Sequence, residues 1–216
     1  MKTAFSRPLL AGVLSVVLST AVAADDDKDF SQLDAWLSSV ETLHGDFSQQ
    51  LLNARGETLS ESTGTLHLSR PGLFRWHYDK PAELLVIGDG EQVYNYDVEL
   101  ESVTIMPQGD ALSGSPVALL AGTGSLADGF DYAGGWEAAG VRWSELVPHG
   151  EERDFRLIRL ALENDRLVAM ELHDQLGQVT RIEFDGLEHN VPVGEMVFEF
   201  EIPDDVDVIL SGESAP

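Results

Sequence analysis

The chain reads as mainly β: about a dozen short strands that follow one another antiparallel, curl into a single barrel-like sheet, and carry a few apolar helices. Three observations predict this. From Asp46 onward, apolar residues recur in short period-two runs separated by turn residues. The intervals between runs are too short for the crossovers that parallel strands need, which favours hairpins. The pattern is interrupted once, between Gly109 and Phe130, by short apolar segments of helical character.

The 216 residues allow one or two domains. The first 23 read as a cleaved signal peptide. Lys2 and Arg7 give a positive start, Leu9 to Leu18 a largely apolar run too short to span a bilayer, and Ala21-Val22-Ala23 a small-x-small cleavage pattern. The expected mature chain is one domain over residues 24–216, released as a soluble secreted protein. There is no cysteine, which excludes disulfides, thiolate chemistry and a lipid-modified cysteine at the mature N-terminus. Net charge is −25, and losing Lys2 and Arg7 makes it more negative still. Such a chain is repelled by nucleic acid and by anionic headgroups.

The elements follow in order. Phe30, Leu33, Trp36, Leu37, Val40 and Leu43 recur at spacings of three and four, which predicts an amphipathic helix from Asp29 to Leu43 that Gly45 ends. Strands are expected near 46–53, 57–69, 73–79, 83–88, 91–97 and 100–106. The stretch around Arg70-Pro71-Gly72 breaks a strand, since proline cannot donate to a ladder and glycine permits a turn. Beyond it Phe74, Trp76 and Tyr78 share one face and Arg75 and His77 the other. That aromatic face fits either an ordinary core or a cavity wall. Ser115-Pro116 followed by Val117 to Ala121 and Gly122 carries a helix start and stop, and Ser125 to Asp128 a second short helix ended by Gly129. Helices this short need packing to persist, so they form a lid over the sheet or a plain connector on it. Strands resume near 131–134, 141–147, 154–162, 165–173, 178–185 and 195–202. The phase shift between Phe155/Leu157 and Ile158/Leu160 predicts a bulge, and Val206, Val208 and Ile209 can add an edge segment.

Catalytic chemistry is thinly represented. No Gly-x-Ser-x-Gly and no glycine-rich phosphate loop occurs. The six histidines lack the helical pairing of a metalloprotease. His67 and His77 on neighbouring strands are better read as surface residues than as a metal pair, and Asp204, Asp205 and Asp207 lack the rest of a calcium loop. An apolar interior, a helical flap, a leader and a charged shell together point to a carrier of something hydrophobic that is not an enzyme and needs no cofactor or metal.

The order Phe47-Ser48-Gln49, Gly64-Thr65-Leu66, Arg70-Pro71-Gly72-Leu73-Phe74-Arg75-Trp76, Pro81, Asp89-Gly90, Tyr96-Asp97 with Leu100 to Thr104, and Ser115 to Leu120 resembles the LolA family of periplasmic outer-membrane lipoprotein carriers. The resemblance implies an unclosed antiparallel barrel of about eleven strands, with helices over its mouth and acyl chains in its hollow. It implies that Arg70 bonds to the lid as a latch and that Phe74 lies near the mouth. On this footing Phe74, Trp76, Trp36, Leu119 and Leu120 are expected to meet the ligand. The partners implied are triacylated lipoproteins, an inner-membrane lipoprotein-releasing ABC transporter and an outer-membrane lipoprotein receptor, for a monomer in the periplasm. The alternative is a LolA-like periplasmic protein that binds another lipid or hydrophobic ligand, or senses lipoproteins.

Overall fold

In a computed structural model, residues 31–109, 116–122, 125–150 and 154–211 are described. The expected signal peptide and the expected cap Ser115 lie outside them. The elements in chain order are α1 (Ser31–Ser39), β1 (Thr42–Leu52), β2 (Thr58–Ser69), β3 (Leu73–Lys80), β4 (Leu84–Asp89), β5 (Gln92–Asp97) and β6 (Ser102–Pro107). Then come α2 (Pro116–Ala121), α3 (Leu126–Gly129), β7 (Phe130–Ala138), β8 (Val141–Pro148), β9 (Phe155–Glu163), β10 (Arg166–Asp174) and β11 (Val179–His189). A 3-10 turn at Glu195–Phe198 and β12 (Asp207–Leu210) finish the chain.

All strands lie in one sheet, ordered β12-β6-β5-β4-β3-β2-β1-β11-β10-β9-β8-β7. Two meanders, β1 to β6 and β7 to β11, meet where β1 pairs antiparallel with β11, Phe47 opposite Phe184. The sheet does not close on itself: β12 and β7 are its edges. The described residues form twelve strands, against about eleven implied by the resemblance. The additional one, β12, runs parallel to β6, so the sheet is antiparallel except at that edge.

One face gathers the main core. Period two sends Leu66 and Leu68 from β2, Phe74 and Trp76 from β3, Leu146 from β8, Ile158 and Leu160 from β9, and Met170 and Leu172 from β10 into one buried cluster. The inner faces of all three helices join it. A bulge lies just before the predicted phase shift, not at it: the β9–β10 register is continuous through Leu157 and Ile158 but skips between His173–Leu157 and Asp174–Phe155, leaving Arg156 unopposed. The β9–β10 turn at Asn164-Asp165 has positive φ at both residues, 49° and 58°, as a tight hairpin of this hand requires.

Two expectations are corrected. Helix α1 stops at Ser39, and Gly45 does not cap it but lies inside β1. Leu43 keeps the helical spacing by coincidence; it is a strand residue, 2% exposed, on the core face. A Cβ at Gly45 would lie 2.8 Å from the Leu187 backbone, so close approach of β11 explains the glycine.

The second correction is 195–202, which forms no strand. It contains the 3-10 turn and crosses the outer face of the sheet as a strap, on its way from β11 to the far edge. Arg75 Nη1 donates to Val197 O at 3.4 Å, and Phe200 packs on Tyr94 and Tyr96 at 5.4 and 5.8 Å between ring centroids. Ile87, Val103 and Phe198 are buried outside the main cluster, which makes this a second, smaller core. The alternation at Phe198 and Phe200 records contact with a sheet surface rather than membership of a ladder.

The outer face of β8 to β11 carries a charged ladder. Glu145, Arg159, Glu171 and Arg181 stand opposite one another on successive strands. Arg159 bonds Glu145 at 2.7 Å and Glu171 at 3.2 Å, and Arg181 bonds Glu171 at 2.9 Å. Beside it Trp136 and Trp143 stack at 5.6 Å, with the Arg159 guanidinium over Trp136 at 5.4 Å.

Candidate functional site: a latched helical lid

The three helices lie against the core face of the sheet. In α1 the helical spacing buries Leu33, Trp36 and Leu37, and Val40 follows; Gln32, Ala35 and Ser38 face outward. In α2, Leu119, Leu120 and Ala121 are buried, and in α3 Leu126. The short helix expected at Ser125 to Asp128 is present and starts with a capping box: the Ser125 hydroxyl accepts from Ala127 N and Asp128 Oδ2 accepts from Ser125 N.

The helix ends are where the sheet holds the lid. An α-helix leaves its last carbonyls without internal partners. Arg70, at the break between β2 and β3, donates one guanidinium nitrogen to Leu37 O at the end of α1 and the other to Gly122 O just after α2. Gly72 N donates to Ala121 O at 3.0 Å from a conformation with φ +79°, which glycine adopts without steric cost. One short turn therefore engages the C-terminal carbonyls of two helices. Burial lowers the Arg70 pKa from its usual value. The group remains a cation, since an arginine in a protein keeps its proton.

Several residues of this latch gave no signal in the sequence. Gln108, 7% exposed, donates from Nε2 to Gly72 O at 2.8 Å and accepts from Gly90 N at 3.1 Å, so it fixes the turn that holds Arg70. Asp34 Oδ1 accepts from Leu126 N at 3.2 Å, tying α3 to α1. Asn190 donates to Ser39 O and accepts from Glu41 N, each at 2.7 Å. Trp36 Nε1 donates to Asp165 O at 2.9 Å, pinning α1 to the β9–β10 turn. Arg142 bonds Gln32.

A cavity of about 270 Å³ lies between the helices, with an apolar floor of Leu37, Leu119, Leu126 and Phe130. Arg70, Asp34 and Asp128 stand at its margin. Of the residues expected to meet a ligand, Leu119 lines this space, as does Arg70, the expected latch. Trp36, Phe74, Trp76 and Leu120 do not; they lie in the continuous core beneath. Phe74, placed near the mouth by resemblance, is 1% exposed and packs against Gly88. Trp76 contacts Phe47 and Phe184, with ring centroids 5.1 and 6.4 Å apart. Tyr78 donates to Gln49 Oε1 at 3.2 Å, and burial pushes its pKa up to about 12. The hollow expected from the sequence is thus filled by the lid's own side chains.

His67 and His77 sit on adjacent strands but not opposite each other, His77 facing Thr65 and His67 facing Arg75. Among the described residues no group of three or more His, Cys, Asp or Glu is arranged to hold a metal ion. No described helix is long and apolar enough to cross a membrane.

The sequence profile of the family described as outer membrane lipoprotein carrier protein LolA matches residues 38–201. The chain belongs to the LolA family. It is 40% identical over 178 residues to a protein of Methylococcus capsulatus named outer-membrane lipoprotein carrier protein, a match covering 82% of this chain and 86% of that one. A Pseudomonas fluorescens protein of the same name is 39% identical over 204 residues, covering 94% of this chain and 97% of that one. Among solved structures, an uncharacterized conserved protein from Thermus thermophilus superposes with a TM-score of 0.53 at 15% identity, covering 84% of this chain and 99% of that one. That likeness concerns the fold alone. The matched span runs from the end of α1 through the strap, so it takes in both the Arg70 turn and the α2–α3 lid.

Proposed function

We propose that this LolA-family chain is a periplasmic carrier of lipoproteins. It takes them from an inner-membrane ABC transporter, shelters their acyl chains beneath the lid, and delivers them to an outer-membrane receptor. Residues 1–23 act as a cleaved signal peptide and 24–216 as the carrier domain, which works as a monomer without catalysis. Arg70 is the lid latch. Trp36, Leu119 and Leu120 leave the core on opening, and Phe74 and Trp76 then meet the acyl chains.

The observation that carries this reading is that helices held by Arg70 at two carbonyls fill the core face of the sheet with apolar side chains. Three acyl chains carry about 45 methylenes, and burying all of them would gain about 36 kcal/mol. Non-covalent affinity saturates near roughly 18–21 kcal/mol. Opening the lid exposes Leu33, Trp36, Leu37, Val40, Leu119, Leu120 and Leu126. At about 1.5–3 kcal/mol each, this opposes roughly 10–20 kcal/mol of the lipid's burial. What remains, roughly 16–26 kcal/mol, still reaches that ceiling, so a carrier that must release its cargo without fuel buries the acyl chains only in part.

The test is to incubate the purified chain with spheroplasts that secrete a triacylated lipoprotein. A carrier releases the lipoprotein into the soluble fraction. A lipoprotein that stays in the spheroplast membrane would sink the reading.

A further inference from the structure

Among the described residues, two buried side-chain polar atoms have no hydrogen-bond partner: His67 Nδ1 and Trp76 Nε1. They differ in consequence. A neutral imidazole can carry its proton on either nitrogen, so an unpaired Nδ1 need not be a donor. An indole N–H is a fixed donor with no acceptor capacity. Trp76 is 4% exposed, and its cross-strand neighbours are Leu66 and Val86. The ring lies among Phe47 and Phe184. The nearby Tyr78–Gln49 bond uses the Gln49 carbonyl oxygen for the phenol.

The other buried tryptophan of this core shows the usual solution, Trp36 donating to a backbone carbonyl. Leaving a buried donor unpaired costs about 1–3 kcal/mol. Phenylalanine would fill the same face without that cost, as Phe74 does two residues away.

We propose that Trp76 Nε1–H is a polar anchor inside the acyl site, donating to the carbonyl oxygen of an ester- or amide-linked acyl chain when the lid moves aside. The inference rests on the carrier reading above and specifies its ligand. Trp76 belongs to the same buried cluster as Trp36, Leu37, Leu119 and Leu120, so on the carrier reading an opened lid gives an acyl chain access to the core that holds it. Aliphatic lid side chains bring no acceptor to that surface. A hydrocarbon chain brings none either, except the carbonyl that joins it to its head. The donor is therefore unpaired in the closed state and paired in the loaded one. It favours acyl lipids over alkyl ethers and fixes how deep the carbonyl sits.

The experiment uses the whole mature chain and two probes, 1,2-dipalmitoylglycerol and its ether analogue 1,2-di-O-hexadecylglycerol, competed against a fluorescent fatty acid. One net hydrogen bond of about 0.5–1.5 kcal/mol corresponds to an ester preference of about 2- to 12-fold. Trp76→Phe should erase the preference. In the wild-type chain labelled with ¹⁵N, the Trp76 indole proton should move downfield with the ester and not with the ether, a readout independent of how the variant folds. Equal affinity for both probes with no ester-specific indole shift would overturn the proposal alone. Binding of neither probe would overturn the carrier reading and the proposal with it.

Discussion

Replacing Arg70 with leucine should unlatch the lid without unfolding the sheet. Leucine keeps the apolar stem but removes both guanidinium bonds, to Leu37 O and to Gly122 O. A hydrogen bond to a charged group contributes about 1.5–3 kcal/mol when sheltered. Arg70 is only half-buried, so water takes over part of the loss, and about 2–3 kcal/mol for the pair is a fair estimate. That raises the population of open lid about 30- to 150-fold. Hydrogen–deuterium exchange reads it directly. Amides of α1 and α2 should exchange faster by about that factor, while β1, β2 and β11 keep their protection. Lipoprotein loading should persist and delivery to a receptor should fall, because the closed state that displaces cargo is weakened. Unchanged exchange in α1 and α2, or normal delivery, would refute the latch. Acceleration spread evenly over the sheet would show that Arg70 supports the fold and not the lid.

Two further outcomes follow from the core and from the outer ladder. A Cβ at Gly88 would lie 2.1 Å from the Phe74 ring, so Gly88→Ala should cost about 1–3 kcal/mol in urea unfolding, and an unchanged midpoint would contradict the packing described. Burial opposes ionisation of Glu171, but bonds from Arg181 and Arg159 outweigh it and hold the carboxyl below 4.5. The folded value being the lower, this carboxylate's contribution is full above about pH 4.5 and is lost as pH falls through the folded value. The stability gap between the wild type and Glu171→Gln should therefore narrow on acidification below that point, and a gap independent of pH between 3 and 7 would contradict the ladder.

Much of the fold was legible because burial imposes period. Phe74, Trp76 and Tyr78 announced a strand with one apolar face, and Ser125 to Asp128 with Gly129 announced a short turn of helix. The same logic failed where a period arose from another cause. Phe198 and Phe200 alternate because a strap lies on the outer face, and Leu43 extends a helical spacing from within a strand. The β1–β11 pairing joins residues some 140 positions apart, and nothing local encodes it. Of the site, Arg70 was legible only through family resemblance, since a turn arginine is ordinarily solvated. Gln108, Asp34 and Asn190 were not legible at all: each acts by reaching a backbone group of another element, and side-chain type carries no address for such a bond.

A carrier of this kind holds its cargo by the acyl chains and not by the polypeptide. Native mass spectrometry of the purified chain mixed with one lipoprotein, in its triacylated form and as a Cys→Ser form that cannot be acylated, tests this most directly. A one-to-one complex with the acylated form and none with the other is the expected result. Equal complex formation with both forms would contradict it.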